Sequence, residues 1–210
     1  MDLAPDGSGS HLPQRWIEGP RMVELRPVRK SDSERLFTWR NLPEVRQFMF
    51  NDGEIRREGH LRWLTKILVD PTRRDWIIEH DELPVGLISL TDIDDDNRRC
   101  SWGFYVASAT LRGHGVGSAA WYQVLQVAFE DLNLEKVCSE VLSTNQSVVA
   151  MHEKFGFRRE AYLRSQVQRP GGRVDVVGLA MLRREWQLCR PGIEDHLLRN
   201  RVSRSDGSEQ

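Results

Sequence analysis

A single α/β domain is what this sequence predicts, and three observations carry the prediction. Stretches with strand character interleave with stretches whose apolar residues recur at helical spacing. A glycine-rich turn, Arg112-Gly113-His114-Gly115-Val116-Gly117-Ser118, is set between one such strand and one such helix. The 210 residues, free of internal repeats, suit one domain with a sizeable core plus tails.

Each element follows from local chemistry. Residues 1–20 are rich in Gly, Ser and Pro, which predicts a disordered tail ahead of a domain spanning 21–187. Residues 23–28 alternate as a first strand. Ser31-Asp32-Ser33-Glu34 supplies caps and early acidic residues for a helix through Trp39. The chain breaks at Asn41-Leu42-Pro43 and resumes over 44–50. Over 58–69, Leu61, Leu64, Ile67 and Leu68 share one helical face, stopped before Pro71.

Strands at 75–79 and 85–90 flank the turn Asp81-Glu82-Leu83-Pro84. Asp92, Asp94 and Asp96 follow without the Gly and terminal Glu of a calcium loop, so a solvated hairpin turn is expected. The strand at 102–106 leads into the glycine turn and a helix over 119–132, then a strand at 136–142. Asn145-Gln146-Ser147 caps a helix to Lys154, closed by Gly156. Strands near 160–168 and 174–183 are joined by Arg169-Pro170-Gly171-Gly172-Arg173. A polar, frayed tail is expected over 188–210, with a helical turn available to 196–199.

The glycine turn is the chemically informative stretch. Its three glycines allow a close backbone approach and positive φ, while the following helix N-terminus offers unpartnered amides and dipole potential. That is a phosphate cradle, with the permanent charge of Arg112 beside it. A P-loop needs Lys after its last glycine, and a dinucleotide fingerprint needs Gly-x-Gly-x-x-Gly; neither spacing is met.

Composition narrows the function classes. A formal net charge of −1 leaves no basic field for nucleic acid. Cys100, Cys138 and Cys189 are odd in number and widely spaced, which suits neither a disulfide framework nor a metal site and predicts a cytoplasmic protein. No apolar run approaches the roughly 18 residues of a membrane span. Asp2 and Asp6 replace the apolar core of a secretory signal.

Arg112, Gly115 and Gly117 stand in the register Arg/Gln-x-x-Gly-x-Gly, which resembles the acyl-CoA pyrophosphate signature of the GNAT superfamily of N-acetyltransferases. Asn145 to Phe157, Asn-Gln-Ser-Val-Val-Ala-Met-His-Glu-Lys-Phe-Gly-Phe, resembles a second segment of that superfamily, and the resemblance spans about residues 22–186. The stretch from Glu160 to Trp186 is similar to ribosomal-protein N-terminal acetyltransferases and to amino-sugar N-acetyltransferases of the pseudaminic acid pathway. Trp39 to Arg46 followed by His60-Leu61 and Trp63-Leu64 looks more like the amino-sugar branch.

The resemblance implies a mixed, mainly antiparallel sheet flanked by helices, whose strands at 102–106 and 136–142 splay apart. It implies acetyl-CoA as co-substrate, no metal, a small-molecule amine acceptor, and a monomer or homodimer. Cofactor-binding positions would be Phe104, Tyr105 and Val106 on the pantetheine arm; Arg112, Gly113, His114, Gly115, Val116, Gly117 and Ser118 on the pyrophosphate; and Asn145 and Lys154 nearby.

Acetyl transfer to an amine requires an unprotonated nitrogen, stabilisation of the carbonyl oxygen and a proton for the thiolate. Many relatives carry Tyr where this chain has His152, whose imidazolium would be the acid; a packing role is the alternative. Glu140, partly desolvated between Cys138 and Leu142, suits a base, with a salt bridge to a neighbouring strand as its other reading. Tyr105 and Tyr122 are alternative proton donors. Trp39, Arg40, Asn41 and Arg46 would shape the acceptor site: the arginines suit a nucleotide diphosphate, and core packing is expected of Trp39. The leading expectation is acetylation of a nucleotide-linked amino sugar. A protein N-terminal acetyltransferase and a non-catalytic acyl-CoA sensor are the alternatives.

Overall fold

The structure, a computed structural model, describes residues 23–205 and the side chains of residues 23–197. The expected tail at 1–20 lies outside the described residues. In chain order the elements are β1 (Val23–Pro27), α1 (Ser33–Asn41), α2 (Pro43–Arg46), α3 (Arg57–Ile67), β2 (Arg74–His80), β3 (Leu83–Asp94) and β4 (Arg99–Val106). They continue with α4 (Val116–Gln126), β5 (Lys136–Leu142), α5 (Gln146–Lys154), β6 (Arg158–Arg169), β7 (Gly172–Leu182) and α6 (Arg183–Ser205).

The strands form one sheet in the order β1-β2-β3-β4-β5-β7-β6. Every neighbouring pair is antiparallel except β4 and β5, which run parallel. Ile77 and Ile78 show why helices must cover both faces. They point to opposite sides of β2, and both are 0% exposed. Ile77 joins Val28, Leu36, Leu64, Ile67 and Leu87 beneath α1 and α3. Ile78 joins the larger core of Ile88, Leu90, Trp121, Leu125, Phe129, Val137, Met181 and Trp186, which holds α4 and α6 against the other face.

The parallel pairing of β4 and β5 positions the site. It covers Arg99↔Lys136, Cys100↔Val137 and Ser101↔Cys138, and ends there. β4 then continues to Val106 paired with β3 alone, and β5 continues to Leu142 paired with β7 alone. The expected splay is present, and it opens at Trp102.

Three expectations are corrected. The turn after β2 is tighter than the four residues read from the sequence: Asp81 and Glu82 both take positive φ (51° and 64°), and His80 pairs Leu83 directly. The helix expected over 119–132 starts earlier, at Val116, and closes in a π-turn, with the Leu132 amide donating to the Val127 carbonyl at 2.9 Å. The frayed polar tail expected over 188–210 is helical throughout its described part, 188–205, as a continuation of α6 pinned by buried Trp186, Ile193 and Leu197. Those three lie at helical spacing among charged residues, so the mean polarity of the segment hides its apolar stripe.

Candidate active site

The glycine turn sits between the open end of β4 and the start of α4. Gly115 is the residue before the helix and takes φ +87°, the left-handed region, and Gly113 does the same at +77°. The first intrahelical bond runs from the Ala119 amide to the Gly115 carbonyl, so the amides of Val116, Gly117 and Ser118 have no acceptor within the helix. At Gly117 a Cβ would stand 3.3 Å from the Phe104 ring, so any larger residue would press this first turn against β4 and require the ring to give. The guanidinium of exposed Arg112 reaches back to the Val106 carbonyl (3.3 Å from both Nε and Nη2), and His114 Nδ1 donates to the Arg112 carbonyl at 3.1 Å. The structure thus brings Phe104, Val106, Arg112, Gly115, Val116, Gly117 and Ser118 to one corner, with the unpaired edge of β4 running along it.

Asn145 immediately precedes α5 and Lys154 is its last residue. The helix does begin after Asn145, but not through a side-chain cap. The Val148 and Val149 amides use its backbone carbonyl, while its side-chain oxygen accepts the Ser147 hydroxyl at 3.1 Å. Lys154 Nζ lies 3.1 Å from His196 Nε2 on α6, which places its charge against the C-terminal helix.

Of the two roles expected for His152, acid or packing, the surroundings of the ring suit packing. It is 2% exposed, boxed by Trp102, Trp121 and Phe157 with ring centroids 5.3, 4.4 and 5.0 Å away. Burial pushes its pKa down to about 4, against the bond to the Val148 carbonyl that favours the charged form. At neutral pH the ring is therefore uncharged. Its one proton sits on Nδ1, which donates to the Val148 carbonyl at 2.8 Å, and Nε2 is buried without a partner. This environment disfavours an imidazolium at neutral pH. Glu140 is likewise not desolvated: it lies exposed on β5, opposite Gly178 of β7, beyond the last β4 pairing.

The two tyrosines are also committed. Tyr122 is buried against α6, donating to Glu194 Oε1 and receiving Arg190 Nε at 3.2 Å. Tyr105 pairs with Leu87 across the sheet and packs against the smaller core, and burial raises its pKa against the pull of nearby Arg40.

On the opposite face, the expected acceptor residues divide. Trp39 packs against the smaller core, as expected. Asn41 bonds Ile55 in both directions, Nδ2 to its carbonyl at 3.0 Å and its amide to Oδ1 at 2.8 Å, which makes it a staple for the segment ahead of α3. Arg40 and Arg46 converge on the loop 47–52: Arg40 Nη2 donates to the Asn51 carbonyl at 2.7 Å and Arg46 Nε to the Asp52 carbonyl at 2.8 Å.

A third arginine, Arg169 at the tip of β6, grips the same loop through the Met49 carbonyl and pairs with Asp52 at 2.9 Å. Sequence reading did not single out Arg169. Its partners lie some 120 residues upstream, and the local signal, a Pro-Gly-Gly hairpin, predicts a turn but not what faces it.

Among the described residues no cluster of three or more His, Cys, Asp or Glu could hold a metal, and no helix is long and apolar enough to cross a membrane. The profile of the GNAT acetyltransferase domain matches residues 22–158. Acetyltransferase PseH of Campylobacter jejuni is 29% identical over 139 residues, covering 65% of this chain and 85% of that protein. The ribosomal N-acetyltransferase-like YdaF of Bacillus subtilis is 32% identical over 49% of this chain and 55% of its own length. The spermidine N(1)-acetyltransferase of Escherichia coli is 25% identical over 67% and 75% of the respective chains.

Among solved structures, the Vibrio cholerae spermidine N-acetyltransferase in complex with CoA and spermine superposes with a TM-score of 0.74 at 20% identity, over 79% of this chain and 98% of that one. That likeness speaks to the fold alone. A parallel pair splayed at Trp102, a glycine-lined helix start at its mouth and the profile over two thirds of the sequence agree: the chain belongs to the GNAT acetyltransferase family, as an acyltransferase that takes acetyl-CoA as its co-substrate.

Proposed function

We propose that this enzyme acetylates a primary amine on an anionic acceptor, best matched by a nucleotide-linked amino sugar. The observation that carries the reading is the convergence of Arg40 and Arg46 on the loop 47–52, with Arg40 near enough to feel Tyr105, on the stretch of β4 that has lost its β5 partner. A polyamine such as spermidine would meet like charge there, whereas a diphosphate would meet guanidiniums suited to bidentate contacts.

The residues divide the work as follows. The amides at the start of α4 and the Arg112 side chain hold the pyrophosphate of acetyl-CoA. The unpaired edge at Phe104, Tyr105 and Val106 aligns the pantetheine arm, and one of its amides polarises the thioester carbonyl. Asn145 and Lys154 contribute to the same side of the cleft. Glu140, exposed to solvent just beyond the splay, receives the proton of the amine directly or through water. His152 stays neutral and positions the aromatic wall, so the departing thiolate draws its proton from water. Three free thiols suit a cytoplasmic site of action.

The test is thiol release from acetyl-CoA against UDP- and dTDP-amino sugars, polyamines, aminoglycosides and short peptides. Turnover confined to nucleotide amino sugars is the expected result. Turnover confined to polyamines or to peptides would sink the proposal, the latter moving the protein to the N-terminal acetyltransferases.

A further inference from the structure

The loop 47–52 is held in an unusual way. Three guanidiniums, those of Arg40, Arg46 and Arg169, donate to its neutral backbone carbonyls. Among the described residues Asp52 is the one carboxylate within ion-pair distance of any of them. Three positive charges thus share a single negative one.

The cluster also leaves donors unmet. Arg40 Nη1 and Arg169 Nε are buried without a hydrogen-bond partner, and the Arg169 side chain is only 10% exposed. A buried charged donor without an acceptor costs more than a neutral one, so this arrangement is electrostatically incomplete. Arg40 reports the strain: burial, then Arg46 and Arg169, lower its pKa, with Tyr105 opposing. The first half of the loop continues the turn of α2 through the Phe48 and Met49 amides, which donate to the Val45 and Arg46 carbonyls, but its two phenylalanines, Phe48 and Phe50, add little packing at 40% and 43% exposed.

We propose that Arg169 is a specificity-determining residue that completes an anion subsite with Arg40 and Arg46. The loop 47–52 is the gate of this subsite, its carbonyls giving way to the phosphate oxygens of the acceptor. This deepens the reading above and rests on it for the identity of the acceptor. The exchange is favourable in sign, because an anion replaces dipoles opposite three guanidiniums and brings acceptors for the two unmet donors. Residues from α1, α2 and the β6–β7 hairpin would then close on the acceptor from two sides.

The test is calorimetric titration of UDP into enzyme saturated with CoA, so that the CoA pyrophosphate site is filled and a second site is read. Wild type should bind UDP. Arg169→Gln should weaken that binding by about tenfold or more, with Arg169→Lys recovering part of it. Asp52→Asn is the sharper variant: removal of the lone countercharge should tighten UDP binding by several-fold, whereas a purely structural role for the Asp52–Arg169 pair predicts a loss. Absence of UDP binding to CoA-loaded wild type, or equal binding by Arg169→Gln, overturns the subsite, and so does weaker binding by Asp52→Asn. Undiminished turnover of a nucleotide amino sugar by Arg169→Gln would overturn the role of Arg169 and leave the proposed function standing. Arg169-dependent UDP binding without turnover of any such sugar would support the subsite and sink the proposed acceptor.

Discussion

Acidification should destabilise this protein through His152 before it touches most carboxylates. The folded ring has its pKa pushed from 6.5 down to about 4, because the aromatic box of Trp102, Trp121 and Phe157 disfavours the imidazolium. A group whose folded value is depressed adds stability that is fully present above its unfolded value and is lost as pH falls through the folded one. For His152 that window runs from about 6.5 down to about 4.

Proton linkage over these values withdraws about 2 kcal/mol between pH 7 and pH 5, and about 3 kcal/mol by pH 4. For a domain of this size 2 kcal/mol corresponds to a fall in Tm of about 4–8 °C. The assay is thermal or urea denaturation at pH 7 and pH 5, on wild type and His152→Phe. Phenylalanine keeps the aromatic packing, removes the unpartnered Nε2 and strands the Val148 carbonyl, so at pH 7 the two proteins should lie within about 1–2 kcal/mol of each other. The pH dependence is the diagnostic quantity, because every carboxylate is common to both proteins. Wild type should lose about 2 kcal/mol more than the variant between pH 7 and pH 5. Equal losses would refute the argument, and would mean that His152 titrates in contact with solvent.

The same neutral ring makes a kinetic prediction: kcat/KM should not fall between pH 6 and pH 8, as it would if an imidazolium of ordinary pKa delivered the leaving-group proton, and a pH–rate profile checks this. Gly117→Val should raise the KM for acetyl-CoA by about tenfold with a smaller effect on kcat, because its side chain would meet the Phe104 ring and lift α4 from β4; steady-state kinetics with acetyl-CoA varied would show it. Asp32→Asn should cost about 3 kcal/mol at pH 7, since the 2%-exposed carboxylate binds Arg26 through two nitrogens, Arg35 at 2.8 Å and the Arg29 amide. Burial alone would raise Asp32, but Arg26 and the Arg29 amide outweigh it and hold its pKa below 3.8. The stabilisation is therefore present above the ordinary value of 3.8 and fades below it, so the gap between wild type and variant in urea denaturation should narrow as pH falls below 3.8.

What was legible in advance divides along a physical line. Elements coded by backbone chemistry were readable: the glycines of the turn, the alternation of β1, and the strand at 136–142, which matches β5 end to end. Each depends on φ preference or period, which neighbouring residues carry. The partner of a side chain is a tertiary fact. Nothing local to His152 tells that Trp102 and Trp121 will enclose it, and the same residue on an open helix face would titrate near its ordinary value. Glu140 shows the converse, because apolar neighbours at i−2 and i+2 on a strand do not bury the residue between them: Cys138 is half-buried and Leu142 buried, yet Glu140 is exposed.

The arginines carry the lesson furthest. Charge type alone suggested that Arg40 and Arg46 were free for a ligand, yet the fold supplies the carbonyls of loop 47–52 as their present partners. These carbonyls are dipoles set against full charges, and the two buried donors left over show that the loop does not satisfy what it covers. A loop serving only stability would be held more cheaply by apolar contacts, since burying guanidiniums without counterions is costly. Their retention under a loop with exposed phenylalanines is accounted for if the charge is kept for an anion that the loop excludes until it arrives. On that proposal, acceptor choice rests on electrostatics assembled from β6, α1 and α2, while the glycine turn does the same work for every acyl-CoA that enters the cleft.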